Sequence, residues 1–152
     1  MRSRILAALM IAVPAIVQPA FAQKAERASM DEAKAMATKA AVYARDHGRG
    51  EGVKAFMAPG GQWHDRDLYV FMLDSKGVSL ANSASPSMVG KDRSELQDVS
   101  GKYFVKEFLK VKAEAWVEYL WRNPKSDEIE MKTSYVVKLP DGGVVGVGAY
   151  KQ

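Results

Sequence analysis

Apolar and polar residues recur along this chain with two different periods, and the places where the period changes mark the elements. In "SMDEAKAMATKAAVYARDHG" the apolar positions Met30, Ala33, Ala37, Ala40, Ala41 and Ala44 fall at helical spacing. Ser29 can cap the first turn, Glu32 three residues on completes a capping box, and Gly48 offers a stop. The spacing therefore predicts a helix whose alanine face is narrow enough to lie close against a sheet. Loop with a short helix is expected through "EGVKAFMAPGGQWHDRD", broken by Pro59, Gly60 and Gly61. From Leu68 the character turns to β: "LYVFMLD" and "VSLAN", joined by "SKG", read as a hairpin. "SASPSMVGKDRSELQDVSG" predicts loop with one helical turn, and Phe104, Val105, Phe108, Leu109 and Val111 then form a helical stripe. "AWVEYLWRNPKSDEIEMKTSYVVKLPDGGVVGVGAYK" closes the chain with three strand-type runs separated by two turn clusters.

A helix, two strands, a loop with a helix, and three more strands is the order of an α+β domain with a PAS-like layout. A long N-terminal helix is expected to pack on a five-stranded antiparallel sheet. Alternation sorts the closing strands into faces. Ala115, Val117, Tyr119 and Trp121 share one side of their run, and Trp116, Glu118 and Leu120 the other. Met131, Thr133 and Tyr135 oppose Glu130, Lys132, Ser134 and Val136, while Gly146, Gly148 and Tyr150 oppose Val145, Val147 and Ala149. Apolar residues on both faces predict cover on both sides. Gly146 and Gly148 predict a bare patch that a helix or a ligand can approach closely.

The ends and the composition narrow the setting. Arg2 and Arg4, the apolar run "ILAALMIAVPAIV", and Ala20 and Ala22 before Gln23 form the pattern of a cleaved secretory signal over residues 1–22. The run is shorter than the roughly 20 residues of a membrane span and holds Pro14. A periplasmic or secreted mature chain, residues 23–152, is expected, of one domain's length and without a membrane span after cleavage. Loss of Arg2 and Arg4 lowers the formal charge from +4 to +2, and the lysines are scattered. That excludes the concentrated basic stripe of a nucleic-acid binder. The chain has no cysteine, which removes disulfides, thiolate metal sites and a cysteine nucleophile.

Candidate chemistry gathers in the closing strands. A small-molecule pocket needs an apolar wall with a few convergent polar groups. Tyr119, Trp121 and Tyr135 can supply wall and hydroxyls, and Lys132 a cation. A lysine inside a strand is costly to bury without an anion, so a carboxylate ligand would account for it. The competing reading puts Lys132 at a solvent edge and the aromatics in the core. Alternation places Lys132 and Tyr135 on opposite faces without saying which looks inward. His64, Asp65 and Asp67 in "WHDRD" could suggest a metal or a general base, but His47 is the only other histidine and the spacing matches no metal motif. A turn into the strand at Leu68 is the expectation there. Neither a G-x-S-x-G elbow nor a phosphate-binding glycine loop is present, so catalysis, metal and cofactor are not expected.

The chain resembles the single Cache domain family, type 2 branch, the extracellular sensor modules of bacterial chemoreceptors and kinases. The resemblance rests on "YVFMLDSKGVSLANS", "MVGKDRSELQDVSGKYFVKE", "AWVEYLWRNP", "KTSYVVKLP" and "GVGAY", which come in the family's order. It departs from the family at Asn82, near a place where a histidine often follows the second strand. No transmembrane segment follows Tyr150, so a free-standing copy is expected. The resemblance implies binding of a small organic ligand, often a carboxylate, between the sheet and the loop before it. By the same analogy Tyr69, Tyr103 and Phe104 also line the pocket, and the partner is a membrane receptor or a second copy met through the N-terminal helix. The alternative is a periplasmic interaction or assembly protein that keeps the fold without the pocket.

Overall fold

The computed structural model describes residues 27–151; the expected signal segment, 1–22, lies outside them. Helix α1 spans Met30–Met57 and starts on the predicted capping box. The Ser29 side chain accepts from the Glu32 N–H, and the Glu32 carboxylate accepts from the Ser29 N–H at 2.7 Å. Such a cap contributes about 1 kcal/mol. Gly48 interrupts the helix as expected, at φ 83° and ψ 164°, a conformation that suits glycine. The helix then resumes to Met57, longer than the pattern suggested, and its last part buries Gly52 and Phe56.

The strands are β1 (His64–Asp65), β2 (Leu68–Leu73), β3 (Ser79–Asn82), β4 (Glu114–Arg122), β5 (Ile129–Lys138) and β6 (Val144–Tyr150). They pair antiparallel in the order β1-β2-β6-β5-β4, with β3 also on β2. The five expected strands are β2 to β6. The sixth, β1, is a two-residue strand reached through a tight turn at Arg66 (φ 56°), too short to leave a period in the sequence.

Each face of the sheet receives one layer. Ala33, Ala37, Ala40 and Ala41 of α1 are wholly buried with Val70, Met72, Val145, Val147 and Tyr135. Small side chains let the helix backbone approach, as the spacing predicted. The sheet therefore takes the alanine face, and a homodimer through this helix would have to use its opposite side. On the other face lies α2 (Phe104–Lys110), preceded by the segment 83–103 with a single 3₁₀ turn at Pro86–Met88. Phe71 stacks on Phe108 at 5.2 Å, and Phe104 lies on Tyr119 at 4.3 Å with planes 5° apart. The glycines of β6 serve this layer differently from the expectation. A β-carbon on Gly146 would meet the Phe71 ring at 2.3 Å, and one on Gly148 would meet Lys132 Cε at 2.4 Å. Side chains of neighbouring strands, rather than a helix or a ligand, fill the space.

Candidate functional site

Register decides which way Lys132 points. It pairs with Tyr119 on β4 and Tyr150 on β6, so the three side chains form one row on the α2 face. Lys132 is completely buried, and its ammonium has no hydrogen-bond partner among the described residues. It lies 3.8 Å from the centroid of Tyr69 and 5.0 Å from that of Tyr150. Cation–π attraction to two rings offsets part of the lost hydration, at about 0.5–2 kcal/mol per desolvated contact. Burial pushes the Lys132 pKa down, and the nearby Tyr69 and Asp67 act against that.

Asp67 is the second buried polar group. Its Oδ1 accepts the Ala28 N–H at 2.9 Å, and its Oδ2 has no partner among the described residues. Around these two sit hydroxyls that are partly committed. Tyr119 Oη and Ser134 Oγ are 3.0 Å apart, and Tyr150 Oη donates to the Arg122 carbonyl at 2.8 Å. Burial raises both phenol pKa values, so the hydroxyls stay protonated. Unpaired buried polar atoms are uncommon in folded proteins, and such clusters point to sites.

A second cation comes from the covering segment. Backbone bonds from Arg93 N–H to the Gly77 carbonyl (2.9 Å) and from Ser79 N–H to the Lys91 carbonyl (3.0 Å) pin this stretch to the β2–β3 hairpin. They aim Arg93 at a chamber of about 30 Å³ walled by Tyr69, Asn82, Met88, Phe104, Tyr119 and Trp121. Arg93 Nε is buried, and the guanidinium makes no hydrogen bond or ion pair with any described residue. The chamber has the volume of about one water molecule. Outside it lies a cleft of about 520 Å³ between the segment around Gln97–Val99 and the β4–β5 hairpin. Tyr69 and Trp121 line both spaces.

Asp98 holds the cleft's inner rim. Its Oδ1 accepts from the Ser100 N–H and hydroxyl and from the Lys102 N–H, and its Oδ2 accepts from the Leu120 N–H of β4 at 2.9 Å. Burial alone would raise this carboxyl, but those donors hold its pKa at about 2. A turn forms at this aspartate, and the same carboxylate fastens the loop to the sheet.

Of the residues singled out in the sequence, Tyr69, Phe104, Tyr119 and Trp121 come together at the chamber, with Lys132 behind Tyr69. Tyr135 lies on the opposite face, edge-on to Trp116 at 4.9 Å and beneath Lys34. Tyr103 is 40% exposed, with the Lys106 ammonium 4.4 Å from its ring, and lines neither space. Asn82 accepts the Ser85 N–H and lines the chamber. His64 and Asp65 are exposed, and no group of three or more His, Cys, Asp or Glu among the described residues could hold a metal. The sequence offers Asp67 only beside His64 and Asp65 as a metal or base candidate, and it does not single out Arg93, Ser134 or Tyr150 as site residues. Tyr150 shares a face with Gly146 and Gly148, and Ser134 shares one with Lys132, whereas Arg93 leaves no signal.

A helix laid on one face of an antiparallel sheet, with a loop-covered chamber on the other, defines the PAS-like α+β class. The family model described as Single Cache domain 2 matches residues 3–152, and the chain belongs to that family. The structure of a methyl-accepting chemotaxis protein from Vibrio parahaemolyticus RIMD 2210633 aligns with a TM-score of 0.64 at 21% identity, over 79% of this chain and 86% of that one. The periplasmic sensor domain of a chemotaxis protein aligns at 0.61 and 25% identity, over 80% and 90%. A Cache chemosensory domain described for its carboxylic acid recognition aligns at 0.61 and 24%, over 80% and 88%. These likenesses establish a Cache sensor fold. No helix among the described residues is long and apolar enough to cross a membrane.

Proposed function

We propose that the chain is an exported, non-catalytic binding domain that takes a small organic acid by its carboxylate between the sheet and the segment 83–103. One observation carries the reading: beside a single tyrosine-walled chamber, Lys132 is wholly buried and half-buried Arg93 turns its Nε inward, each with a buried nitrogen that no described residue satisfies. Leaving such groups unpaired costs about 1–3 kcal/mol each, more when charged. An arriving carboxylate would return that cost. Arg93 would meet it in the chamber with the two-pronged geometry that guanidinium offers carboxylates. Lys132 would add positive charge from behind Tyr69, and Phe104, Tyr119 and Trp121 would form the wall. Tyr103 and Tyr135 take no part. Output would pass through another protein, a membrane receptor or a second copy on the solvent side of α1; ligand-dependent sedimentation would reveal the latter.

The test is thermal unfolding of the purified chain with carboxylates, amines and uncharged analogues. A carboxylate at a hundred times its dissociation constant should add about 2.7 kcal/mol of stability, and amines should add none. Arg93→Gln and Lys132→Met should each abolish the shift, with Asp67→Asn/Lys132→Met as the version that leaves no lone buried carboxylate. A shift that survives in all three variants overturns the assignment. No shift with any acid rejects the carboxylate reading and turns attention to a protein partner at the exposed Trp116, Ile129 and Met131. Export predicts that protein recovered from the periplasm or medium begins at Gln23.

A further inference from the structure

The chamber and the outer cleft differ in size and in charge, and together they restrict what else the ligand carries. Resting on the carboxylate reading above, we infer that the ligand is a monocarboxylate with an uncharged apolar tail of several carbons or a ring, its acid end at Arg93 and its tail past Trp121 in the outer cleft.

Size sets the first limit. About 30 Å³ leaves room for little beyond the acid group, whereas about 520 Å³ lies within the usual range of ligand pockets. The two spaces meet at Tyr69 and Trp121. Tyr69 is fixed in central strand β2 under the Lys132 ammonium, while Trp121 is half-buried near the end of edge strand β4, with its ring edge-on to Phe104 at 5.3 Å. Trp121 is thus the movable partition, and a ligand that reaches Arg93 must extend past it.

Charge sets the second limit. The cleft has two acids and one base on its wall. Asp98 is ionised and already takes four donors, and Asp127 is paired with Arg122 at 2.8 Å. The acids repel a second carboxylate, and the free oxygen of Asp127, on a side chain 81% exposed, lies in water where it gives an ammonium little attraction. Apart from Tyr69 and the uncharged polar Ser85 and Gln97, the rest of the wall is Ala84, Val99, Leu120, Trp121, Pro124 and Ile129, an apolar strip. Dicarboxylates and amino acids are disfavoured for different reasons, and an apolar tail is the one chemistry the strip accepts.

Calorimetric titration of the purified chain with acetate, hexanoate, benzoate, succinate and 6-aminohexanoate tests this. Each buried methylene should tighten binding roughly fourfold. Hexanoate and benzoate are therefore expected to bind at least about tenfold more tightly than acetate, succinate or 6-aminohexanoate. Val99→Asp, at a loop position 72% exposed and outside the folded core, should erase most of that advantage. Acetate binding as tightly as hexanoate, a preference for succinate or 6-aminohexanoate, or an undiminished hexanoate advantage in Val99→Asp would each overturn the tail and leave the carboxylate site standing. Absence of binding by every acid would overturn both.

Discussion

The two faces of one sheet are built by opposite rules. Toward α1 the sheet presents Val70, Met72, Val145 and Val147 to a stripe of alanines, and almost every buried atom there is carbon. Toward α2 it presents Tyr69, Tyr119, Lys132, Ser134 and Tyr150, and two of the three buried side-chain atoms left without partners, Lys132 Nζ and Arg93 Nε, lie on that side among the described residues. The first arrangement closes tightly because small side chains bring backbones together. The second keeps polar groups out of water without satisfying them, which favours a fold only if something else binds there. The same strands thus serve as scaffold on one face and as site on the other, with period-2 alternation keeping the tasks apart.

Substitutions can break that division, and the largest expected effect is on the scaffold face. Phe56, buried against Tyr43 and Trp63, should cost about 3–5 kcal/mol as Phe56→Ala in denaturant unfolding, while the response to ligand persists. Gly148→Ala should move both properties. Its β-carbon has to displace Lys132 and Ser134, so a loss of about 1–3 kcal/mol and weakened acid binding are expected together. Stability lost without any change in binding would separate Lys132 from the site.

Asp98 sharpens the comparison through pH. Its pKa is about 2 in the fold against an ordinary 3.8, so the unfolded chain binds the extra proton between those values. The stabilisation is complete above about pH 4 and is lost as pH falls toward 2, up to about 1–2 kcal/mol. Asp98→Asn should therefore flatten the acid limb of a pH–stability curve, and an unchanged limb would show that the clamp contributes nothing. The smallest effect is expected at Tyr135. Tyr135→Phe removes a hydroxyl on the scaffold face, costs less than about 1 kcal/mol and leaves acid binding unaltered. A binding defect there would mean that the two faces communicate.

What the sequence disclosed follows from where period carries information. Alanines at helical spacing after Ser29 located α1 and its cap, and the alternating runs located β2 to β6. Alternation also placed Tyr119, Lys132 and Tyr150 in their rows. It could not say that Lys132 rather than Tyr135 faces the chamber, because β5 is central and apolar on both sides. That choice is made by the pairing of Tyr119 with Lys132 and by the space above Gly148, both long-range facts. Arg93 was illegible for another reason. It sits in a segment without period, and its position is set by bonds to Gly77 and Ser79 across a turn. Asp67 read correctly as part of a turn, but its burial depends on the Ala28 N–H, 39 residues earlier in the chain.

The residue beside Ala28 has a consequence for how the domain carries load. Arg27 grips Glu130 at the start of β5 and donates to the Lys151 carbonyl just past β6. The chain therefore enters and leaves the described fold side by side, joined by one guanidinium. Mechanically the domain is a ring closed by a clasp. A pull that separates the two exits falls on that clasp together with the Lys151 N–H bond to the Met131 carbonyl and the Ala28 N–H bond to Asp67.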